Sequence, residues 1–155
     1  TTCFGNESGW GQMINQAGGH NVIESDMQVE DSDYADAEAV INSNPDVVIK
    51  TVYRDQKDGI MADNYLPPEE ADYTFAKEEM KSREGFSKMK AIEDDNIIMC
   101  SDFCLRGGGN TVGLAFFAKW LHPDLFEDFD AYEIFDQWMT EFQNMDAIEG
   151  HVYEG

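Results

Sequence analysis

Three short segments of this chain combine aromatic rings with polar side chains in positions where a binding site could form. Each follows a predicted strand, and together they comprise residues 5–10 with Trp10, residues 53–55 with Tyr53 and Arg54, and residues 101–109 with Phe103 and Arg106. A guanidinium offers several fixed donors to carboxylate, phosphate or catecholate oxygens, and it can also lie flat on a macrocycle. Arg106 is therefore the strongest candidate for a ligand contact.

Each of these residues also has an ordinary structural explanation. Arg106 could form a surface salt bridge in so acidic a protein, and the three aromatic rings could pack in the core. The run Arg106-Gly107-Gly108-Gly109 before a helix could instead cradle a phosphate on backbone N–H groups, as in a small phosphate-binding enzyme. However, neither standard glycine-rich phosphate motif is present, and no nucleophile and base stand at a defensible spacing. The sequence predicts no catalytic residue.

The order of helices and strands predicts how the three segments are positioned. A helix over residues 34–41 should stop near Ser43, because Pro45 disfavours helical geometry in the residue before it. The β-branched run at residues 47–49 then predicts a strand that is covered on both faces. The full set of predicted strands is residues 2–4, 21–23, 47–52 and 97–100.

The predicted helices separate these strands. They cover residues 9–17, residues 34–41, a stretch from Pro67 to Ile92 with a break near Gly85, residues 110–121 and residues 131–144. Strands that alternate with helices predict an α/β fold, with one mainly parallel central sheet flanked by helices. Loops at the carboxyl ends of parallel strands share one edge of the sheet, which is where ligands bind in such folds. No repeat or linker is visible, so we expect one domain over residues 1–155.

Composition limits the possible partners. The chain has 155 residues, is 42% hydrophobic and carries a formal charge of −22. Nucleic acids and anionic membrane surfaces select for lysine and arginine, so neither is expected as a partner. No segment has the roughly 20 apolar residues that a membrane-spanning helix needs, and no signal peptide is visible. The abrupt start at Thr1 suggests a fragment that was cut from a longer chain.

Cysteines and histidines give little support for a metal site. The three cysteines are an odd number, so buried thiols are expected, although a bridge between Cys100 and Cys104 stays open. The histidines at positions 20, 122 and 151 are isolated in turn-like contexts. We expect no metal and no cofactor.

A set of motifs in a fixed order now carries a family resemblance over almost the whole chain. The motifs are AGGHNV at residues 17–22, Glu38 ahead of NPDVVI at residues 44–49, FSKMKAI at residues 86–92 before NII at residues 96–98, Asp102-Phe103 with Arg106, Gly113-Leu114, and AKWLHPDLF at residues 118–126. Together they resemble the C-terminal lobe of the substrate-binding proteins of ABC importers for iron-siderophore, haem and vitamin B12.

The resemblance implies a three-layer, Rossmann-like half of a two-lobe protein whose N-terminal lobe and linking helix are absent here. Such a protein captures an iron-siderophore, haem or corrinoid between its lobes and delivers it to a membrane permease. By resemblance, Arg106 and Phe103 contact the ligand, and Glu38 docks into an arginine pocket of the permease. The expected location is periplasmic or extracellular, with a lipoprotein tether through the missing N-terminal part. A ligand sensor built on the same lobe is the alternative.

Overall fold

The computed structural model describes residues 2–23, 32–54, 66–105 and 109–153. Its contacts divide the chain into two compact units. The first unit combines Thr1–Ala39 with Leu105–Ala147, and the second combines Val40–Cys104 with Ile148–Gly155. The expectation of a single lobe over residues 1–155 stays a prediction.

The described residues form a mixed α/β structure. The principal helices are α1 (Gly9–Gln16), α2 (Ala37–Ser43), α3 (Glu70–Ser82), α4 (Lys90–Glu93), α5 (Gly109–Leu121) and α6 (Ala131–Gln137). The strands are β1 (Thr2–Phe4), β2 (Ser32–Tyr34), β3 (Val48–Thr51), β4 (Ile97–Cys100) and β5 (Val152–Tyr153). Short 3₁₀ turns occupy Phe86–Lys88, Asp102–Leu105 and Pro123–Leu125, and α6 continues into a π-helical segment, Trp138–Gln143.

In the first unit, β1 and β2 pair antiparallel, with Thr2 opposite Tyr34. Its helices α1 and α5 pack together through aromatic rings. The buried Trp10 ring lies between Phe4, at a centroid distance of 6.3 Å, and Phe117, at 5.9 Å. Large apolar rings supply much of the area that a core removes from water, so this cluster is the main stabilising contact of the unit.

In the second unit, the sheet order is β3-β4-β5. Strand β4 pairs parallel with β3 and antiparallel with β5. Every residue of β4 is buried, because it is the central strand, whereas Val48, Ile49 and Lys50 of β3 are only half-buried. The expectation of a strand covered on both faces therefore fits β4 better than β3.

The predicted mainly parallel single sheet is not confirmed. Among the described residues the pairings form two sheets, and only the β3–β4 ladder is parallel. The terminal strand β5 and the polar strand β2 are too short to stand out in the sequence. Tyr34, expected to open a helix, lies in β2 instead.

The predicted strand at residues 21–23 is wrong, because Val22 and Ile23 are helical. The side chain of Asn21 explains the difference. Its Oδ1 accepts a hydrogen bond from the Ile23 backbone N–H at 3.3 Å, and its Nδ2 donates to the Phe4 carbonyl at 2.8 Å. Asparagine that accepts from a backbone N–H two residues on caps a helical turn, and this outweighs the strand preference of two β-branched residues.

Most predicted helix boundaries are confirmed within one or two residues. Gly18 and Gly85 have φ values of +80° and +82°, which suits glycine at a helix end and at the break after α3. Glu69 is the N-cap residue of helix α3. Its backbone N–H donates to Asp72 Oδ2 at 2.9 Å in a capping box.

Residues 44–46, which follow α2, form hydrogen bonds at the amino edge of the second unit's sheet. Asn44 adopts a left-handed conformation at φ +45°, and its Oδ1 accepts the Lys90 backbone N–H at 2.7 Å at the start of α4. Nearby, the Asn96 side-chain amide donates to the Asp46 carbonyl at 2.7 Å. Lys90 also forms an exposed ion pair with Asp46, whose hydrogen bond raises the pKa of Lys90. The Asn-Pro turn thus both ends α2 and caps α4.

We predict that Asn44→Ala in the full-length protein lowers the free energy of unfolding by about 2 kcal/mol. Roughly half comes from the lost cap and half from the left-handed geometry, which asparagine tolerates better than alanine because its side chain can hydrogen-bond locally. Asn44→Gly loses the same cap, but glycine adopts left-handed geometry without strain, so it should cost about 1 kcal/mol. Urea denaturation measures both, with the exposed Asn42→Ala as the control. Wild-type stability of Asn44→Ala would show that this turn does not depend on the asparagine.

Candidate functional site

Two of the three predicted loops begin at the same edge of the second unit's sheet. The parallel register sets Thr51 opposite Cys100, and the Val52 N–H donates to the Cys100 carbonyl at 2.9 Å. Tyr53 then continues from β3, and Ser101 continues from β4. This carboxyl edge is where ligands bind in open α/β sheets. We call it the carboxyl edge of β3 and β4.

Phe103 is held at this edge by two polar neighbours. Its ring stacks on the ring of His151 with a centroid distance of 4.3 Å and an interplanar angle of 22°. Its backbone N–H donates to Ser101 Oγ at 3.3 Å. Ser101 Oγ lies 2.8 Å from His151 Nδ1, and the Ser101 N–H donates to the His151 carbonyl at 2.8 Å. Phe103 is half-buried, whereas Ser101 and His151 are buried.

Arg54 is also fixed rather than extended into solvent. Its Nη1 donates to the Pro67 carbonyl at 3.1 Å, and its Nη2 pairs with Glu69 Oε1 at 2.7 Å. Because Glu69 caps α3, the guanidinium joins the end of β3 to the start of that helix. The tyrosine before it, Tyr53, is half-buried.

The third predicted loop, residues 5–10, lies in the first unit. Ser8 Oγ accepts the Gly11 N–H at 3.0 Å and donates to the Gly5 carbonyl at 2.5 Å, so the loop is folded tightly onto the start of α1. A β-carbon at Gly11 would stand 2.6 Å from Asn6 Cα, which is why glycine is required there. Trp10 itself packs in the aromatic core and is only 6% exposed. This position agrees with the packing alternative, and its role as a ligand contact stays a prediction.

Arg106 and the glycines at 107 and 108 lie outside the described residues, so the main candidate contact is untested. The predicted approach of the loop of residues 5–10 to the carboxyl edge is also untested. Cys100 is buried, but the side chain of Cys104 is not described, and a bridge between them stays open. Within residues 2–23, 32–54, 66–105 and 109–153, no group of three metal-ligating side chains converges.

Glu38 lies where the sequence predicts it, in the first turn of α2, and it is exposed. Asp36 Oδ1 accepts the backbone N–H groups of Glu38 at 2.9 Å and Ala39 at 3.1 Å, so Asp36 caps the helix. The Glu38 carboxylate is therefore not needed for capping. Its position suits a surface contact.

Lys50 is a half-buried cation that the sequence did not single out. Burial lowers its pKa, the nearby positive charge of Arg83 lowers it further, and Glu79 opposes the shift. Arg83 is paired with Glu79 through two hydrogen bonds, of 2.9 Å and 2.8 Å. Lys50 thus lies within electrostatic range of the Arg83–Glu79 ion pair at the end of α3.

Sequence reasoning missed the contact of Ser101 with His151 at the carboxyl edge. Ser101 lay in the candidate segment 101–109 but was given no role, and His151 stands in the turn-like context Glu149-Gly150-His151. No short-range pattern joins residues that are fifty positions apart. The one available signal was the pair Val152-Tyr153, which favours a strand but is too short to be assigned.

Comparison with known proteins assigns the chain to a family. The family model described as periplasmic binding protein matches residues 1–102. The chain belongs to the periplasmic binding protein family. Members of this family are binding proteins and not enzymes. The family match also confirms the resemblance to substrate-binding proteins of ABC importers.

Solved structures show the same fold. They include the TroA-like periplasmic binding protein FepB from Veillonella parvula, with 20% identity and a TM-score of 0.82 over 98% of this chain and 43% of that one. A periplasmic solute-binding protein from the same species has 14% identity and a TM-score of 0.68 over 97% of this chain and 42% of that one. The molybdate-bound MolA of Haemophilus influenzae has 17% identity and a TM-score of 0.66 over 94% of this chain and 40% of that one.

The chain therefore spans less than half the length of each of these binding proteins. A comparison with curated protein sequences finds no match. Binding proteins of this family are periplasmic or extracellular and deliver their ligand to an ABC permease. In the parts of the chain that the structure describes, no helix is both long enough and apolar enough to cross a bilayer.

We predict that Trp10→Ala in the full-length protein lowers the free energy of unfolding by about 3–5 kcal/mol, the usual cost of truncating a buried aromatic ring. Trp10→Phe keeps a ring between Phe4 and Phe117 and should cost much less. Urea denaturation followed by circular dichroism measures both. A loss below about 1 kcal/mol for Trp10→Ala would mean that the ring is not a core residue.

Proposed function

We propose that this chain is the C-terminal ligand-binding lobe of an ABC-importer substrate-binding protein for an iron chelate or a related metal complex. The observation that carries the proposal is the parallel pairing of β3 with β4, which starts the loops of Tyr53, Arg54 and Phe103 at one edge. Family membership supplies the transport role. The ligand class, a siderophore, haem or corrinoid, rests on the resemblance of the motifs.

The length of this chain relative to the solved binding proteins supports its assignment to one lobe. Solved relatives are more than twice as long as this chain, yet almost all of the chain is covered in each comparison. In the proposed protein a second lobe closes over the carboxyl edge and supplies the other half of the cleft. A tether before that lobe holds the protein at the cell surface.

The chemistry of the candidate residues suits a large, anionic and partly aromatic ligand. Phe103 offers a half-buried ring, and Arg106 offers a planar cation that binds carboxylate or catecholate oxygens. Arg54 already shares its charge with Glu69. In a chain with 32 acidic residues and only 10 lysines and arginines, an arginine in this loop would supply positive charge that attracts an anionic chelate.

A ligand sensor would use the same lobe and the same edge. The two functions differ in what happens after binding, because only an importer passes its ligand through a membrane. A titration of the full-length protein with haem, a ferric catecholate siderophore, cobalamin and molybdate, followed by tryptophan fluorescence, tests the ligand class. Binding of none of the three metal chelates would overturn the proposed ligand class.

We predict that Arg106→Ala in the full-length protein weakens binding of an anionic chelate by more than tenfold. A lost charge-assisted hydrogen bond is worth about 1.4 kcal/mol or more, which is a factor of ten in the dissociation constant. Arg106→Lys keeps the charge but not the planar fork, so it should recover only part of the loss. Unchanged affinity in Arg106→Ala would show that this arginine does not contact the ligand.

We predict that Glu38→Arg leaves folding and ligand affinity unchanged but impairs uptake in vesicles that carry the cognate permease and ATPase. A glutamate that meets a basic pocket contributes through charge complementarity, and the reversed charge would be repelled. The matched control is Glu133→Arg, since Glu133 is also exposed in the first turn of a seven-residue helix of the same unit. Equal transport by the Glu38 and Glu133 variants and the wild type would remove Glu38 from the docking surface.

A further inference from the structure

The last described strand of the chain brings a buried histidine to the carboxyl edge. Strand β5 pairs antiparallel with β4, with Val152 opposite Cys100. His151 is therefore the neighbour of Ser101, the first residue after β4. Both residues are 3–4% exposed. The family model ends at residue 102, so it assigns nothing to His151.

The turn before β5 is held firmly. The Tyr73 hydroxyl donates to the Gly150 carbonyl at 2.7 Å, and the Tyr73 ring stacks on Tyr153 at a centroid distance of 5.0 Å. Gly150 has φ +99°, and a β-carbon there would lie 3.3 Å from Pro67 Cβ. His151 thus stands on a backbone that is fixed on both of its sides.

From this position His151 contacts Phe103 directly. The imidazole ring supports one face of the phenyl ring at 4.3 Å, while Ser101 holds the Phe103 backbone N–H and lies against His151 Nδ1. A phenyl ring that is stacked on a buried partner loses rotamer freedom before any ligand arrives. Pre-ordering of a contact side chain favours binding, because that entropy is not lost again in the complex.

We propose that His151 is a positioning residue of the ligand site: its buried ring holds Phe103 in the orientation that the ligand meets. The inference rests on the proposed function, that a metal chelate binds at the carboxyl edge. By this proposal, strand β5 contributes to the binding site. Stacking of the His151 imidazole ring on Phe103, and not its hydrogen bond to Ser101, contributes to ligand affinity.

The test uses two variants of the full-length protein that separate the ring from the hydrogen bond. His151→Phe keeps a stacking ring and removes the Nδ1 atom that lies against Ser101 Oγ, whereas His151→Gln keeps a polar group and removes the ring. Each is titrated with haem, a ferric catecholate siderophore and cobalamin. For the chelate that the wild type binds, His151→Gln should weaken affinity about three- to tenfold, the value of one aromatic pair, and His151→Phe should stay within about twofold of the wild type.

A double-mutant cycle with Phe103→Ala shows whether His151 acts through Phe103. If it does, adding His151→Gln to Phe103→Ala should weaken binding no further. The control for general destabilisation is Ile92→Val, a buried truncation in α4 that costs about 0.5–1.5 kcal/mol and should leave affinity unchanged. Urea denaturation of every variant shows that the binding measurements are made on folded protein.

The possible outcomes are distinct. Weakening by His151→Gln, retention by His151→Phe and non-additivity with Phe103→Ala support the positioning role. Wild-type affinity of His151→Gln, or additive losses, would overturn it while the binding function stands. Failure of the wild type to bind any of the three chelates would overturn the proposed ligand class and this inference with it.

Discussion

The parallel pairing of Val48–Thr51 with Ile97–Cys100 is the contact on which the rest of the second unit depends. A parallel pair needs a crossover connection, and here the chain between the strands includes α3, a 3₁₀ turn and α4. The register determines which residues follow each strand at the shared edge. A slip by one residue would turn every side chain of β4 to the opposite face and disrupt the close packing of its four buried residues.

At both edges of this sheet, side chains form hydrogen bonds to backbone groups. At the amino edge Asn44 caps α4, and at the carboxyl edge Arg54 holds the start of α3 through Pro67 and Glu69. Such contacts cost little entropy once the strands are paired, because the backbone partners are already fixed. The loops that are proposed to meet the ligand therefore begin from rigid positions, which is what a preorganised site requires.

Ion pairs join α3 to the turn before β4. In the second unit, Asp95 accepts hydrogen bonds from Lys81 and Lys77, and these lower its pKa. The stabilisation from these pairs is present at neutral pH and is lost as the pH falls through the lowered pKa of Asp95. Exposed pairs of this kind contribute only about 0–1 kcal/mol.

The sequence by itself determined most of the helices, the two paired strands of the second unit, the family and the exposed position of Glu38. These follow from local signals: the proline after Asn44, the glycines at 18 and 85, and the β-branched run of β3. It predicted the position of β1, but not the strands β2 and β5 or the partner of Phe103. A polar strand of three residues and a strand of two residues carry almost no pattern, and Asn21 capped a turn where β-branched residues predicted a strand. Only the tertiary structure brought His151 against Phe103, because that contact depends on how β5 pairs with a strand fifty residues earlier.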